Sequence, residues 1–497
     1  MAIDCVSGKL VSPPSGCAYA ALSYVWGAVS DAEQVDRDAL ICNSETNQGY
    51  LALDERAPRV VRDAITVTKE LGLKYIWIDK YCINQKDLDV KLEQIGKMDL
   101  IYSSAEFTII AAAGSDENHG LPGVNNHVRE GLYRGDLRGL QRVISQAQLY
   151  DTIKESKWWS RGWTYQEATL SRRRILFTET ELYFECCGMH CREALFSSLE
   201  LLHRKDMKSF MSWNRPGFFA GAGGVSTDWS KGLNATGPFS RQLSHDSDSL
   251  LALLGILRTF ESAVPPIYHI SGLPVVCGAA GVSTRSFISA LGWSHYNDYN
   301  FRSPKRRSAF PSRSWIGWEA TATFLKDDSS FTTFEVEVWI LDRSKRFIAL
   351  EPFDQINMPS QVLSSGISKV IRLSAWVVGP TIWLDWKRRP VRSICRASQS
   401  GLIVGFCVCL DYISDPTDCW VNVSQEIQKI DNVFGKLLDG RYSCIILGSG
   451  LSSVNMLVVE WQPSREFVTR VGTISMRGTN IADIQRWKLE RQSIELH

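Results

Sequence analysis

The stretch YIWIDKYCINQ at residues 75–85 decides the fold, because a compact apolar run stops abruptly at an acid. Four residues without a polar interruption, Tyr75–Ile78, are the length and composition of a buried strand. Before it, Ala57, Val60, Val61, Ala64, Ile65 and Leu71 recur at helical spacing, and Gly72 supplies the stop. After it, Leu88, Leu92, Ile95 and Tyr102 predict one helix over 88–102 with a single apolar face. Phe107–Ala113 predicts another strand, closed by Gly114-Ser115-Asp116, and Ala18–Tyr24 predicts an earlier one that ends in a Trp26-Gly27 turn. Strand, helix, strand, helix, strand in this order predicts an α/β domain whose parallel sheet is flanked by helices. Function in such sheets gathers at the carboxyl ends of the strands. Trp26-Gly27, Asp79 and Gly114–Asp116 all fall there.

Working outward, residues 158–171 predict a short helix, and Arg174–Phe177 with Leu182–Glu185 a hairpin. Residues 205–245 turn rich in Gly, Ser and Asn, as in GAGGVSTDWSKGLNATG, and mark the domain boundary. Helix returns at 247–260, with His245, Asp246 and Asp248 placed to cap it. From about 310 the β-type runs FEVEVWIL, VIRLSAWVV, GLIVGFCVCL, YSCIILG and MLVVEW predict an antiparallel module. The expected organisation is an α/β domain over 1–200, a linker and helical region over 201–310, and a β-rich domain over 311–497.

The chain has 497 residues, 44% of them apolar and 22% charged, enough for two or three globular cores. A formal net charge of +1 gives no global field toward nucleic acid, so no nucleic-acid partner is expected. Residues 1–10 lack a basic region followed by an apolar one, and SLLALLGIL at 249–257 is too short for a membrane span. These features predict a soluble cytoplasmic protein in which the 13 Cys are reduced thiols. The 17 Trp read first as aromatic-rich cores.

Three segments carry a resemblance. LSYVWG at 22–27, YIWIDKYCINQ at 75–85 and RGWTYQEATLS at 161–171 match, in order, the signature boxes of fungal heterokaryon-incompatibility (HET) domains. RRILFTETELYFEC at 173–186 is similar to the family's continuation. FSRQLSHDSDSLLALLGIL at 239–257, ISGLPV at 270–275 and FPSRSWIGW at 310–318 resemble stretches of full-length HET proteins. IDCVSGKLV at 3–11 resembles the strand before the first box, so either no extension precedes it or the start is slightly late. Through the Trp-x-x-x-Glu of its third box and the strand-end Ser-Tyr-x-x-Gly of its first, the chain is also distantly similar to TIR domains. That resemblance implies a TIR/flavodoxin-like sheet and makes Glu167 the candidate catalytic carboxylate. Ser23, Tyr24, Trp26, Gly27, Asp79, Arg161 and Trp163 become its candidate substrate-binding neighbours. Thr164 departs from the TIR pattern, which has Cys at that position.

The chemistry suits one carboxylate. Cleaving the nicotinamide–ribose bond of NAD passes through an oxocarbenium-like state that a fixed negative charge stabilises, while nicotinamide leaves as a neutral ring. NAD is then a substrate, and no cofactor or metal is expected. Cys186, Cys187, His190 and Cys191 resemble a metal cluster, but no second ligand pair completes a zinc site. Neither a G-x-S-x-G elbow nor a P-loop occurs. RSPKRR at 302–307 reads as a solvated loop or an import or anion-binding patch.

Two readings stay open. In one, the resemblance implies an enzyme of non-self recognition, innate immunity and programmed cell death that hydrolyses NAD or a related nucleotide upon self-association. In the other, the domain is a non-catalytic adaptor that assembles with HET- or TIR-like signalling partners. There Glu167 holds its helix through Arg161 or the arginines at 172–174.

Overall fold

The structure is a computed structural model, and it describes residues 1–27, 57–85, 87–129, 135–137, 140–142, 146–186, 190–193, 217–219, 241–278, 281–295, 305–319, 322–324, 331–341, 345–350, 370–378, 405–410, 436, 438–450, 453–477 and 489–497. Most of the predicted 205–245 linker and Cys187 lie outside them. The chain divides into two units: residues 1–226 with 241–243 and 251–256, and residues 227–240, 244–250 and 257–497.

In the first unit the strands are β1 (Ala2–Asp4), β2 (Leu10–Val11), β3 (Tyr19–Ser23), β4 (Tyr75–Ile78), β5 (Phe107–Ala111), β6 (Arg173–Phe177), β7 (Leu182–Cys186) and β8 (His190–Arg192). They form one sheet in the order β8-β7-β6-β5-β3-β4-β1-β2. The four central strands run parallel, Leu22 pairing with Ile78 on one side and Ile109 on the other. Both edges are antiparallel: Ile3 pairs with Ile76, and Ile175 with Phe184. The sheet is therefore mixed, not parallel throughout. The short connections 5–9, from β1 to β2, and 178–181, from β6 to β7, return the chain alongside itself and leave no room for the crossover a parallel neighbour needs.

The helices are α1 (Arg59–Glu70), α2 (Asp79–Cys82), α3 (Leu88–Ile95), α4 (Met98–Ser104), α5 (Gln146–Glu155) and α6 (Thr164–Leu170). Adjacent residues of a strand face opposite layers. Ile109 and Ile175 join a cluster with Val61 and Ile65 of α1 and Met98 and Tyr102 of α4. Ile110 and Leu176 join Ile153 of α5, Ala168 of α6 and Trp158.

The predicted 88–102 helix is two helices. Gly96 and Lys97 separate them, the Gly96 N–H still bonding to Leu92 O at 2.9 Å before the axis resets. The reset turns Tyr102 into the core at 1% exposure, while Leu88 and Leu92 stay exposed. The 158–171 helix likewise shortens to α6, because residues 158–162 make tighter turns.

Asp246–Ser249, in the second unit, forms one 3₁₀ turn ahead of the helix Leu251–Glu261, whose residues 251–256 belong to the first unit. His245 makes no side-chain cap there, and Asp246 instead lies 3.6 Å from Arg307. Arg307 is buried and donates to Ser249 Oγ (2.9 Å) and Trp318 O (3.1 Å), so this part of the basic run is neither a solvated loop nor an open patch. The C-terminal region is β-rich, built on a nine-stranded sheet. Tyr442–Ser449, Ser453–Trp461, Val468–Arg477, Leu489–Leu496 and Ile371–Val378 are neighbours in that order. Val377 pairs back to Ile445, so these five strands close on themselves. Val454, Met456, Val458, Cys444 and Ile446 fill one side of this closure, alternating along their strands as the two-residue period demands.

Candidate functional site

The first strand connection carries the chain from β3 to β4 on one side, and the next returns it to β5 on the other side of β3. The carboxyl ends of β3 and β5 therefore lie at a topological switch point, where α/β sheets place their ligands. Ser23 ends β3 and Ala111 ends β5. Gly27 has φ +83°, and a Cβ there would lie 2.9 Å from the Asp116 Cβ. Glycine lets the first-box turn close onto the loop after β5.

At the end of β3 the Ser23 hydroxyl donates to Glu167 Oε2 at 2.5 Å and accepts from Trp158 Nε1 at 2.7 Å. Ser23 and Glu167 are 1% and 5% exposed. Burial, and then the Asp79 charge, push the Glu167 carboxyl up to about 7; Ser23, Arg161 and Tyr102 oppose the shift. Among the described residues Glu167 makes no ion pair, so neither Arg161 nor the arginines at 172–174 consume it.

Arg161 sits before α6 and donates through one terminal nitrogen to Tyr24 O at 2.5 Å. Its charge favours the ionised forms of both Asp79 and Glu167. Asp79 begins α2, takes the Lys80 N–H at 2.7 Å, and accepts from Trp26 Nε1 at 3.1 Å on both oxygens. Burial raises its carboxyl to about 6 despite these donors. Lys80 lies 5.9 Å over the Trp26 ring and pairs with Glu117 at 2.7 Å, tying the loop after β5 to the end of β4. Asn84 and Gln85 are exposed and serve local bonds, Gln85 Nε2 to Asp79 O at 3.3 Å among them.

Ser23, Tyr24, Trp26, Asp79, Arg161 and Glu167 are thus connected around the ends of β3 and β4. Tyr24 contributes its carbonyl, its ring being 3% exposed in the core. Trp163 caps α6, its carbonyl accepting the Glu167 N–H at 3.4 Å, and stays half-buried. Thr164 ties the turn together through Trp158 O and Arg161 O, both at 2.8 Å. It also takes a donor from the buried Arg241, whose guanidinium lies 4.2 Å from the Trp159 ring. Sequence reasoning missed Trp158, Tyr102 and the Lys80–Glu117 pair. The Trp158-Trp159 doublet just ahead of the third box was the available signal for the first. A buried carboxyl near neutrality, fed by a hydroxyl and an indole N–H, can hold a polar ligand or switch its charge at physiological pH.

Comparison places this arrangement. Residues 19–167, which span all the residues just described except Thr164's partner Arg241, match the family model "Heterokaryon incompatibility protein (HET)". A relative is Heterokaryon incompatibility protein 6, OR allele, of Neurospora crassa, 27% identical over an alignment covering 33% of this chain. The alignment spans only 29% of that relative's length. No solved structure matches. The chain therefore carries a HET-type domain over residues 19–167, within the first unit.

Proposed function

We propose that this protein acts in fungal non-self recognition and programmed cell death by hydrolysing NAD, or a related nucleotide, in its HET domain upon self-association. The observation that carries the reading is the buried carboxyl of Glu167 beside the switch point, bonded to a hydroxyl rather than paired with an arginine among the described residues. Set beside the ribose, a carboxylate there stabilises positive charge as the nicotinamide–ribose bond breaks. Arg161 and Asp79 then hold the polar parts of the nucleotide, and Trp26 offers a ring at the mouth. The TIR-like ancestry of the sheet belongs to the same proposal, supported by the parallel β4-β3-β5-β6 core.

The rival adaptor reading is favoured by one observation, the 5% exposure of Glu167, which limits substrate contact. Nicotinamide release by the purified, concentrated chain separates the two. The enzyme reading expects release that rises more steeply than protein concentration and is lost in Glu167→Ala. A chain that oligomerises and signals with no turnover would establish the adaptor.

A further inference from the structure

A concavity of about 530 Å³ lies along α1, lined by Arg59, Arg62, Asp63, Thr66, Lys69 and Asn125, none of them a residue of the HET site. The volume is that of a small-ligand site. Arg62, Thr66 and Lys69 are spaced i, i+4, i+7 and so share one helix face, with the two cations roughly 10 Å apart along the axis. Three positive side chains line the wall against one negative.

That negative charge is already engaged. Asp63 is 1% exposed and accepts from Leu121 N and Asn125 Nδ2, both at 2.8 Å, with Arg59 Nε at 3.9 Å. Gly120 has φ +82° and lies so close that a Cβ would meet Asp63 Oδ2 at 2.5 Å. Asp63 therefore serves to bind the 120–125 loop to α1. Arg62 is different: its Nε is buried, and among the described residues its side chain has neither hydrogen bond nor ion pair. A buried guanidinium N–H without an acceptor costs free energy that an incoming oxyanion recovers. Guanidinium groups match phosphate oxygens two at a time, and the distal Lys69 supplies a second point of charge.

We infer that this concavity binds a small anion carrying two or more phosphate groups, held by Arg62 with Arg59 at one end and Lys69 at the other. The site is separate from the proposed NAD chemistry and does not depend on it. An acidic peptide offers carboxylates of the same sign, but its oxygens are spread along a chain rather than clustered on one phosphorus.

Calorimetric titration of the full chain with tripolyphosphate tests this. Micromolar binding is expected, weakening as salt rises. Arg62→Gln should weaken it at least tenfold with a melting temperature no lower than that of the wild type, Arg62→Lys should keep part of the affinity, and Lys154→Gln on α5 should change nothing. Absent binding by the wild-type chain, equal affinity in Arg62→Gln, or an equal loss in Lys154→Gln would each overturn the inference. So would a hexa-aspartate peptide that binds as tightly as tripolyphosphate.

Discussion

At the scale of the residue, Glu167 sets the behaviour of the first unit. Its carboxyl titrates near 4.5 in the unfolded chain and about 7 in the fold, chiefly because burial penalises the charge. Between those values the native state holds more protons than the unfolded one, so stability falls as pH rises through this window. Glu167→Gln keeps an oxygen for the Ser23 hydroxyl and removes the charge. We expect it to raise stability by on the order of 1–3 kcal/mol at pH 8 and to change little at pH 4.5. Thermal melts at the two pH values check this, and an equal shift at both would mean Glu167 is not the buried titrating group. If a carboxylate does the chemistry, nicotinamide release in the wild-type chain also falls as pH drops below about 7. The place of Glu167 on a short helix was legible in the sequence, but its burial was not, since the enzyme reading expects it to line an open cleft. Its hydroxyl partner was not assigned, because Ser23 lies 144 residues away and only strand pairing brings them together.

At the scale of the element, the carboxyl ends of three strands are held together by close approach. Gly27 carries a positive φ and nearly touches Asp116. Gly27→Ala should therefore cost about 1–3 kcal/mol, read as a lower denaturation midpoint, and should disturb the Trp26–Asp79 bond. A variant as stable as wild type would show that the turn relaxes. Tyr75–Ile78 could be read directly from sequence because a fully buried strand has no polar face to blur it. The 88–102 segment misled because Leu88 and Leu92 fall at core spacing yet stay exposed, and periodicity cannot tell a buried stripe from an open one. The hairpin at one antiparallel edge was legible in the sequence, but the β1–β2 edge was missed for a related reason: two-residue strands such as Leu10–Val11 carry too few side chains for a pattern.

At the scale of the whole molecule, the sequence marked a β-rich second half, and the closing of five strands through the Val377–Ile445 pairing was hidden in long-range register. Met456 packs in the cluster on one face of those strands at 0% exposure. Met456→Ala should cost about 2–5 kcal/mol in unfolding of the second unit, followed by chemical denaturation. A cost under 1 kcal/mol would mean the interior is loosely packed. Among the described residues no helix is long and apolar enough to cross a membrane. The central claim is that Glu167 makes the HET domain an enzyme, and the most direct measurement is nicotinamide released from NAD by wild-type and Glu167→Ala chains at matched concentration and melting temperature. The account predicts release by the wild type and at least a hundredfold loss in the variant, the order expected for a group that stabilises transition-state charge. Equal release from both, or none from an assembled wild-type chain, would contradict it.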